Sequence, residues 1–258
     1  MYLLEAVPTE WLILVAVVTL YVTDSVVLLN SRDALIYPGP GWAVAFGSRA
    51  FTLRGRPTCL LSVWTPHRPV FRLKLLETRL NVPLASATDD APTLAEAWDK
   101  LRSAFGALVF VPWAVAVGLF VFLPLGLFTP YGHRAIWTAL VWIYGPVIVG
   151  VVLAYRNRNT FGLSRTDWSG LAFDVLACPP HALNLVRKLS LLASRSKLPD
   201  RDLLRVATAL LADEAEITFY QGLVVMIDDL MDIVSNEAEL ARLSALREAI
   251  TQEVFRDH

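Results

Sequence analysis

Residues 107–128 read ALVFVPWAVAVGLFVFLPLGLF, a run without a single charged side chain. About 20 apolar residues cross a hydrocarbon core of roughly 30 Å as a helix. A helix is favoured there because it satisfies its own backbone hydrogen bonds. Two further runs, Trp11 to Leu29 and Ile136 to Tyr155, are apolar over a similar length. The sequence therefore predicts a mainly α-helical membrane protein with three transmembrane helices.

The overall composition agrees with a chain that lies partly in lipid. Of its 258 residues, 55% are hydrophobic and 18% are charged, and the mean hydropathy is +0.49. These values are too apolar for an ordinary soluble domain. The net charge of -1 argues against a general nucleic-acid binder. The two cysteines, Cys59 and Cys178, are too far apart in sequence to indicate a disulfide framework.

The first apolar run is predicted to stay as a membrane anchor. No Lys or Arg precedes Trp11, so the positive segment of a secretory signal is missing. Asp24 lies within this run and costs about 2.5 to 3.5 kcal/mol at the bilayer centre. About a dozen aliphatic residues, each worth roughly 0.3 to 0.6 kcal/mol, outweigh that cost. We expect the run to insert.

Basic residues near the ends of the three runs predict the orientation. Arg32, Lys100, Arg102, Arg156 and Arg158 lie on one side, and Arg134 alone lies on the other. The side richer in Lys and Arg is normally cytoplasmic. We therefore expect the N-terminus outside and the C-terminus in the cytoplasm, with a bacterial inner membrane as the expected location.

This orientation divides the chain into four predicted parts. Residues 1–29 form the outer N-terminus and first transmembrane helix, and residues 107–155 form a transmembrane hairpin. Residues 30–106 form a cytoplasmic β-rich insertion that ends in an amphipathic helix. Residues 156–258 form a cytoplasmic helical domain.

Short strands are predicted in the insertion from runs rich in Val, Leu and aromatic residues between Gly and Pro. They are Trp42 to Phe46, Ala50 to Leu53, Cys59 to Trp64 and Val70 to Leu75. In the last of these, apolar residues alternate with Arg72 and Lys74, so the basic residues share one face. Such a face could attract anionic headgroups, as could Arg156 and Arg158. A solvated strand face is the preferred interpretation of Arg72 and Lys74.

The C-terminal residues carry helical patterns separated by proline and polar breaks. The predicted helices are Asp167 to Ala177, His181 to Ala193, Asp200 to Ala212, Glu216 to Val234 and Glu237 to Phe255. Their apolar stripes are typical of core or partner surfaces. The first of them could lie on the membrane surface.

Asp24 is the intramembrane polar candidate, because an ionisable residue in a span is by default a functional hypothesis. Three structural explanations are open. Asp24 could reach the interface, meet Arg102 or Arg156 from other helices, or bond within its own turn. A structural or subunit-pairing role is preferred over proton or ion handling.

Two motifs suggest metal chemistry. Asp228, Asp229 and Asp232 resemble the aspartate-rich run with which helical prenyl-transferring and terpene-forming enzymes bind Mg²⁺ and a diphosphate. The resemblance covers five residues and no second such run exists, so an acidic edge facing solvent or a partner is preferred. Cys178 and His181 have the spacing of half a zinc site, but a proline turn with a buried thiol is preferred. We predict no bound metal and no cofactor.

The predicted function is that of an integral membrane accessory or scaffold subunit, without catalysis of its own, that docks protein partners or copies of itself at the cytoplasmic face. Signatures of serine hydrolases, Walker A loops and dinucleotide folds are missing. The alternative is a membrane-embedded Mg²⁺-dependent enzyme or binding protein acting on a lipid or isoprenoid diphosphate. It would use Asp228, Asp229 and Asp232.

Overall fold

The computed structural model describes residues 8–38, 42–53, 56–75, 100–130, 132–197, 203–211 and 213–256. It is mostly helical and carries small antiparallel sheets. The chain divides into two compact units. Unit 1 comprises Met1–Val26, Leu60–Pro69 and Lys100–Ser196, and unit 2 comprises Val27–Cys59, Val70–Asp99 and Lys197–His258.

Unit 1 contains two helices that are long and apolar enough to cross a membrane. They are α2, Lys100–Phe128, and α3, whose apolar part is Arg134–Arg156 of the full helix Gly132–Arg156. The first helix, α1, spans Thr9–Asp24 and has 16 residues, fewer than the roughly 20 that a crossing requires. The predicted single helix from Trp11 to Leu29 is wrong, since Val26–Leu28 forms strand β1.

Proline and glycine shape α2 and its contact with α3. Pro112 cannot donate to the carbonyl of Leu108, and that carbonyl instead accepts from the N–H of Val111 in a turn. A π-helical segment, Gly118–Phe122, precedes Pro124. At Gly118 an added Cβ would lie 2.6 Å from Cγ1 of Ile143. Glycine therefore lets the two long helices approach closely at this point.

The remaining helices of unit 1 follow α3 in sequence. A short helix, α4 (Arg158–Phe161), leads to α5 (Arg165–Ala177). A 3₁₀-helix, Pro179–Asn184, then precedes α6 (Leu185–Lys197). The two predicted helices in this stretch are confirmed. Pro179 and Pro180 separate them, because proline lacks the N–H that a continuing helix would need.

Unit 2 brings a sheet from the β-rich segment together with C-terminal helices. Strands β2 (Asp33–Tyr37), β3 (Ala43–Phe46) and β6 (Phe71–Lys74) form a sheet in the order β3-β2-β6. A second sheet has the order β1-β5-β4, where β4 is Ser48–Leu53 and β5 is Arg56–Leu60. Strand β2 was not predicted, whereas β3, β4 and β6 confirm predicted strands.

The helices of unit 2 are α7 (Leu203–Leu210), α8 (Asp213–Met231) and α9 (Glu237–Arg256), which confirms the three predicted there. Ala34, Ile36 and Leu73 of the sheet share one core with Phe219 and Leu223 of α8. The rings of Phe46 and Phe219 stack with centroids 6.1 Å apart. Residues distant in sequence therefore build one hydrophobic core.

One predicted strand, Cys59 to Trp64, is wrong. Strand β5 ends at Leu60, and residues 61–69 form successive turns, with the N–H of Thr65 donating to Ser62 and that of Arg68 to Thr65. The start of the amphipathic helix predicted before α2 lies outside the described residues, whereas residues 100–106 are helical.

Candidate functional site

A charged cluster in unit 1 joins α1, α5, the 3₁₀-helix and α6. Asp24 at the end of α1 accepts a hydrogen bond from Lys188, whose ammonium lies 2.7 Å from one carboxylate oxygen. The other oxygen accepts from the side-chain amide of Asn184 at 3.0 Å. Asp24 is thus paired from α6 and the 3₁₀-helix, and not from Arg102 or Arg156, which was one of the three explanations left open by the sequence.

Asp174 completes the cluster from α5. The ammonium of Lys188 also contacts its carboxylate, so one cation bridges two acidic residues. The ring Nδ1 of His181 lies 2.8 Å from the other oxygen of Asp174. We call Asp24, Asp174, His181 and Lys188 the charged cluster.

Local sequence signals explain why these side chains meet. Helix α5 begins with a capping box, in which Oγ of Ser164 accepts from the N–H of Asp167 at 3.0 Å. The helix ends at Cys178 because two prolines follow. The chain then reverses through the 3₁₀-helix, and the spacing of His181, Asn184 and Lys188 brings all three to one side.

The surroundings lower the pKa of Asp174. Burial by itself would raise that pKa, but hydrogen bonds from Lys188 and His181, together with their positive charge, lower it below its ordinary value. Asp174 is therefore a carboxylate at neutral pH. The neighbouring thiol shifts in the opposite direction: burial raises the pKa of Cys178, and the negative charges of Asp174 and Asp24 raise it further. This thiol is protonated and unreactive at neutral pH.

Three residues of the charged cluster carry the donor atoms of a possible metal site. Asp24, Asp174 and His181 each offer one ligand atom, and these atoms lie within 4.8 Å of one another. The ammonium of Lys188 already contacts both carboxylates. A divalent cation would have to displace this ammonium, which makes the arrangement an internal ion-pair network and a poor metal site.

A second polar group connects the cluster to the turns after β5. Asn184 donates to Oγ of Ser25 at 3.1 Å and accepts from Arg187 at 2.9 Å. The guanidinium of Arg187, which is only 2% exposed, also donates to the carbonyl of Thr65 at 2.9 Å and to that of Ser62. Arg187 therefore holds the backbone of these turns from inside unit 1.

The other basic candidates lie at separate places. In unit 2, Arg72 forms an ion pair with the buried Asp33, whereas Lys74 is exposed. In unit 1, Arg156 is exposed, and the guanidinium carbon of Arg158 lies 4.9 Å from the ring centroid of Tyr155. Arg72 thus has a structural partner within its own sheet.

The aspartate-rich run lies on α8 and just beyond it. Nε of Arg247 lies 2.5 Å from a carboxylate oxygen of Asp228, and both side chains are 46% exposed. Within the described part of the chain, Asp228, Asp229 and Asp232 do not bring three ligand atoms together. Cys178 and His181, the C-x-x-H pair, do not act together as metal ligands, since the His181 ring is hydrogen-bonded to Asp174.

Reasoning from sequence identified Asp24 but did not identify Asp174, Asn184, Arg187 and Lys188, which join it in one polar network among the described residues. The available signal was the clustering of Asn184, Arg187 and Lys188 among the leucines of residues 183–192. Comparisons with protein-family models, with curated proteins and with solved structures found no match.

Proposed function

We propose that the chain is an integral membrane accessory or scaffold subunit that docks a protein partner at the cytoplasmic face. The membrane part of this proposal rests on α2 and α3, the two helices among the described residues with sufficient length and apolarity. Exposed apolar side chains lie along them, among them Val141, which is 72% exposed. In water such a surface would be unfavourable, whereas lipid solvates it.

Helix α1 is proposed as the third membrane element. Its Trp11 ring lies 5.1 Å from Phe128 and its Tyr21 ring lies 6.5 Å from Phe120, so α1 runs antiparallel along α2. A helix of 16 residues extends about 24 Å. Such a helix covers most of a hydrocarbon core of about 30 Å, which agrees with an N-terminus outside and the C-terminal residues in the cytoplasm of a bacterial cell.

The scaffold role is carried by one observation, which is that α8 exposes apolar side chains on the outside of unit 2. Ile217 and Val225 are both exposed and lie about 12 Å apart along the helix and about 80° apart around its axis. The opposite side of α8 already supplies the core of unit 2. Apolar side chains left at a water-facing surface favour docking of a partner.

The charged cluster supports the accessory, non-catalytic part of the proposal, because its charged groups are paired with one another. Lys188 is bound by Asp24 and Asp174, and Asp174 also binds His181. Such pairing ties four segments of unit 1 together. The diphosphate alternative is not favoured, since Arg247 already occupies Asp228.

Site-specific photo-crosslinking tests the proposal. A benzophenone side chain is placed at Val225, and the matched control carries it at Ser244, an exposed position on α9. We expect a crosslinked product of defined mass from Val225 and none from Ser244. A chain that is strictly monomeric in mild detergent and gives no product from Val225 in membranes would contradict the scaffold role.

A further inference from the structure

The turns that follow β5 carry an unusual combination of an exposed tryptophan and a well-satisfied backbone. We define the tryptophan loop as Leu60–Pro69, the middle segment of unit 1. Trp64 at its tip is 83% exposed and is the most exposed large apolar side chain among the described residues. Leu60 is exposed as well, whereas Leu61 is buried.

The backbone of the tryptophan loop is bound by groups inside unit 1. The carbonyls of Ser62 and Thr65 each accept from a turn N–H and from Arg187. The carbonyl of Val63 accepts from the hydroxyl of Tyr21, and the N–H of Leu61 donates to the carbonyl of Ser25 at 3.0 Å. In water these carbonyls could be solvated at no cost, and a buried guanidinium would be unnecessary. In lipid they must be satisfied by the protein.

Contacts with the helices give the depth of the loop. Val63 is held at the level of Tyr21, which lies about 15 Å along α1 from the pair of Trp11 and Phe128. The ring of His67 lies 5.3 Å from that of Trp113, about 22 Å along α2 from Phe128. Both levels fall inside a hydrocarbon core of about 30 Å whose far side is at Phe128.

We propose that the tryptophan loop is a lipid-contacting element, in which Trp64 inserts among the acyl chains in the half of the hydrocarbon core on the side where α2 begins. The large apolar ring of tryptophan favours acyl chains over water. Arg68, which is exposed four residues later, has the reach to meet anionic headgroups. Arg187 is the internal group that permits irregular backbone at this depth.

This inference rests on the membrane insertion of unit 1, and the experiment separates the two. Both native cysteines are replaced by serine, and single cysteines are introduced by Trp64→Cys, Val141→Cys and Ser244→Cys. Each carries an environment-sensitive fluorophore, in the full chain reconstituted into nanodiscs of phosphatidylcholine and phosphatidylglycerol. Quenching is measured with doxyl-labelled lipid and with aqueous iodide. The label at position 141 reports whether α3 is inserted in the bilayer, and the label at position 244 is the water-exposed control.

We expect the label at position 64 to be quenched by doxyl lipid to a severalfold greater extent than the label at 244, and to be protected from iodide. If iodide quenches the label at position 64 while doxyl lipid quenches the label at position 141, the loop inference is overturned. The membrane insertion of unit 1 is then still supported. Failure of doxyl quenching at both 64 and 141 would overturn both.

Protection of position 64 from both quenchers would mean that protein covers it, and would overturn the lipid contact. Leu60→Cys provides a second probe on the same loop if Trp64→Cys does not fold. The same pattern of quenching is expected from it.

Discussion

The ammonium of Lys188 lies 2.7 Å from the carboxylate of Asp24 and also contacts that of Asp174. One lysine thus joins the end of α1 to α5 and α6. This bridge explains how an acidic residue is accommodated within an apolar run, because its charge is neutralised inside the protein. It also shows which variants should weaken unit 1.

Removal of the ammonium should destabilise unit 1 strongly. In Lys188→Met the carboxylate of Asp24, whose side chain is 13% exposed, loses its cation, and an uncompensated charge that is largely buried costs about 3 kcal/mol. The measurement is the free energy of unfolding in detergent. The double variant Asp24→Asn with Lys188→Met should recover part of the loss. Equal stability of Lys188→Met and the parent chain would contradict the bridge.

The pH dependence of stability should report Asp174. Its pKa is lowered in the fold, so its contribution is complete above the unfolded value of about 4 and is lost as pH falls through the folded value. The stability difference between the parent chain and Asp174→Asn should therefore narrow below about pH 4. Since the side chain is 40% exposed, this contribution is about 1 kcal/mol or less after solvent screening.

A pH titration of both proteins, followed by thermal unfolding, measures this difference. A stability difference that widens as the pH falls would contradict the lowered pKa of Asp174. His181→Gln should reduce this stability difference without abolishing it, because Lys188 remains.

Arg187 should stabilise the turns of the tryptophan loop. Arg187→Met removes the donors to Ser62 and Thr65, so the turns should open more often. We expect severalfold faster amide hydrogen exchange at Thr65 and Arg68, whose N–H groups donate within these turns. Arg195→Met, at an exposed position on α6, is the matched control and should leave the exchange rates unchanged. The rates are followed by mass spectrometry of peptides that cover the loop.

Glycine at position 118 should be required for packing of α2 on α3. Gly118→Ala places Cβ 2.6 Å from Ile143, and such overpacking costs about 1 to 3 kcal/mol. Gly145→Ala on α3 is the control, since an added Cβ there has no described atom within 4 Å. That control should be neutral or stabilising by roughly 0.5 to 1 kcal/mol. Thermal unfolding in detergent compares the two.

Magnesium should have no specific effect through the aspartate-rich run. Asp228 is paired with Arg247, and hard divalent cations need several free oxygen ligands. We expect the same melting temperature with and without Mg²⁺, both for the parent chain and for the variant with Asp228, Asp229 and Asp232 changed to Asn. Mg²⁺-dependent binding of a diphosphate that disappears in this variant would restore the enzyme alternative.

Local patterns in the sequence were sufficient for most of the helices. The helical periodicity and proline breaks of the C-terminal half located α5, α6, α8 and α9 within a few residues of their observed ends. The alternation of Phe71, Arg72, Leu73 and Lys74 identified β6, in which the apolar residues are buried. These features depend on neighbours only a few residues apart, so they are readable without the fold.

The errors occur where distant residues decide the structure. The stretch Cys59 to Trp64 has the composition of a strand. Tyr21 and Arg187 nevertheless bind the carbonyls of Val63 and Ser62, which stabilises turns there and leaves no strand pairing beyond Leu60. The run from Trp11 to Leu29 is apolar enough for one helix. It nevertheless ends as a helix at Asp24, where Lys188 and Asn184 bind the carboxylate.

The amino-acid sequence determined the apolar helices, the small strands and the presence of one acidic residue in the first apolar run, because each follows from hydropathy or local periodicity. The tertiary structure alone decided that Lys188 neutralises Asp24, that the sheet of unit 2 shares its core with α8, and which carbonyls Arg187 binds. These pairings join segments far apart in the chain, and ionic and hydrogen-bonding partners depend on distances in space that no local pattern records.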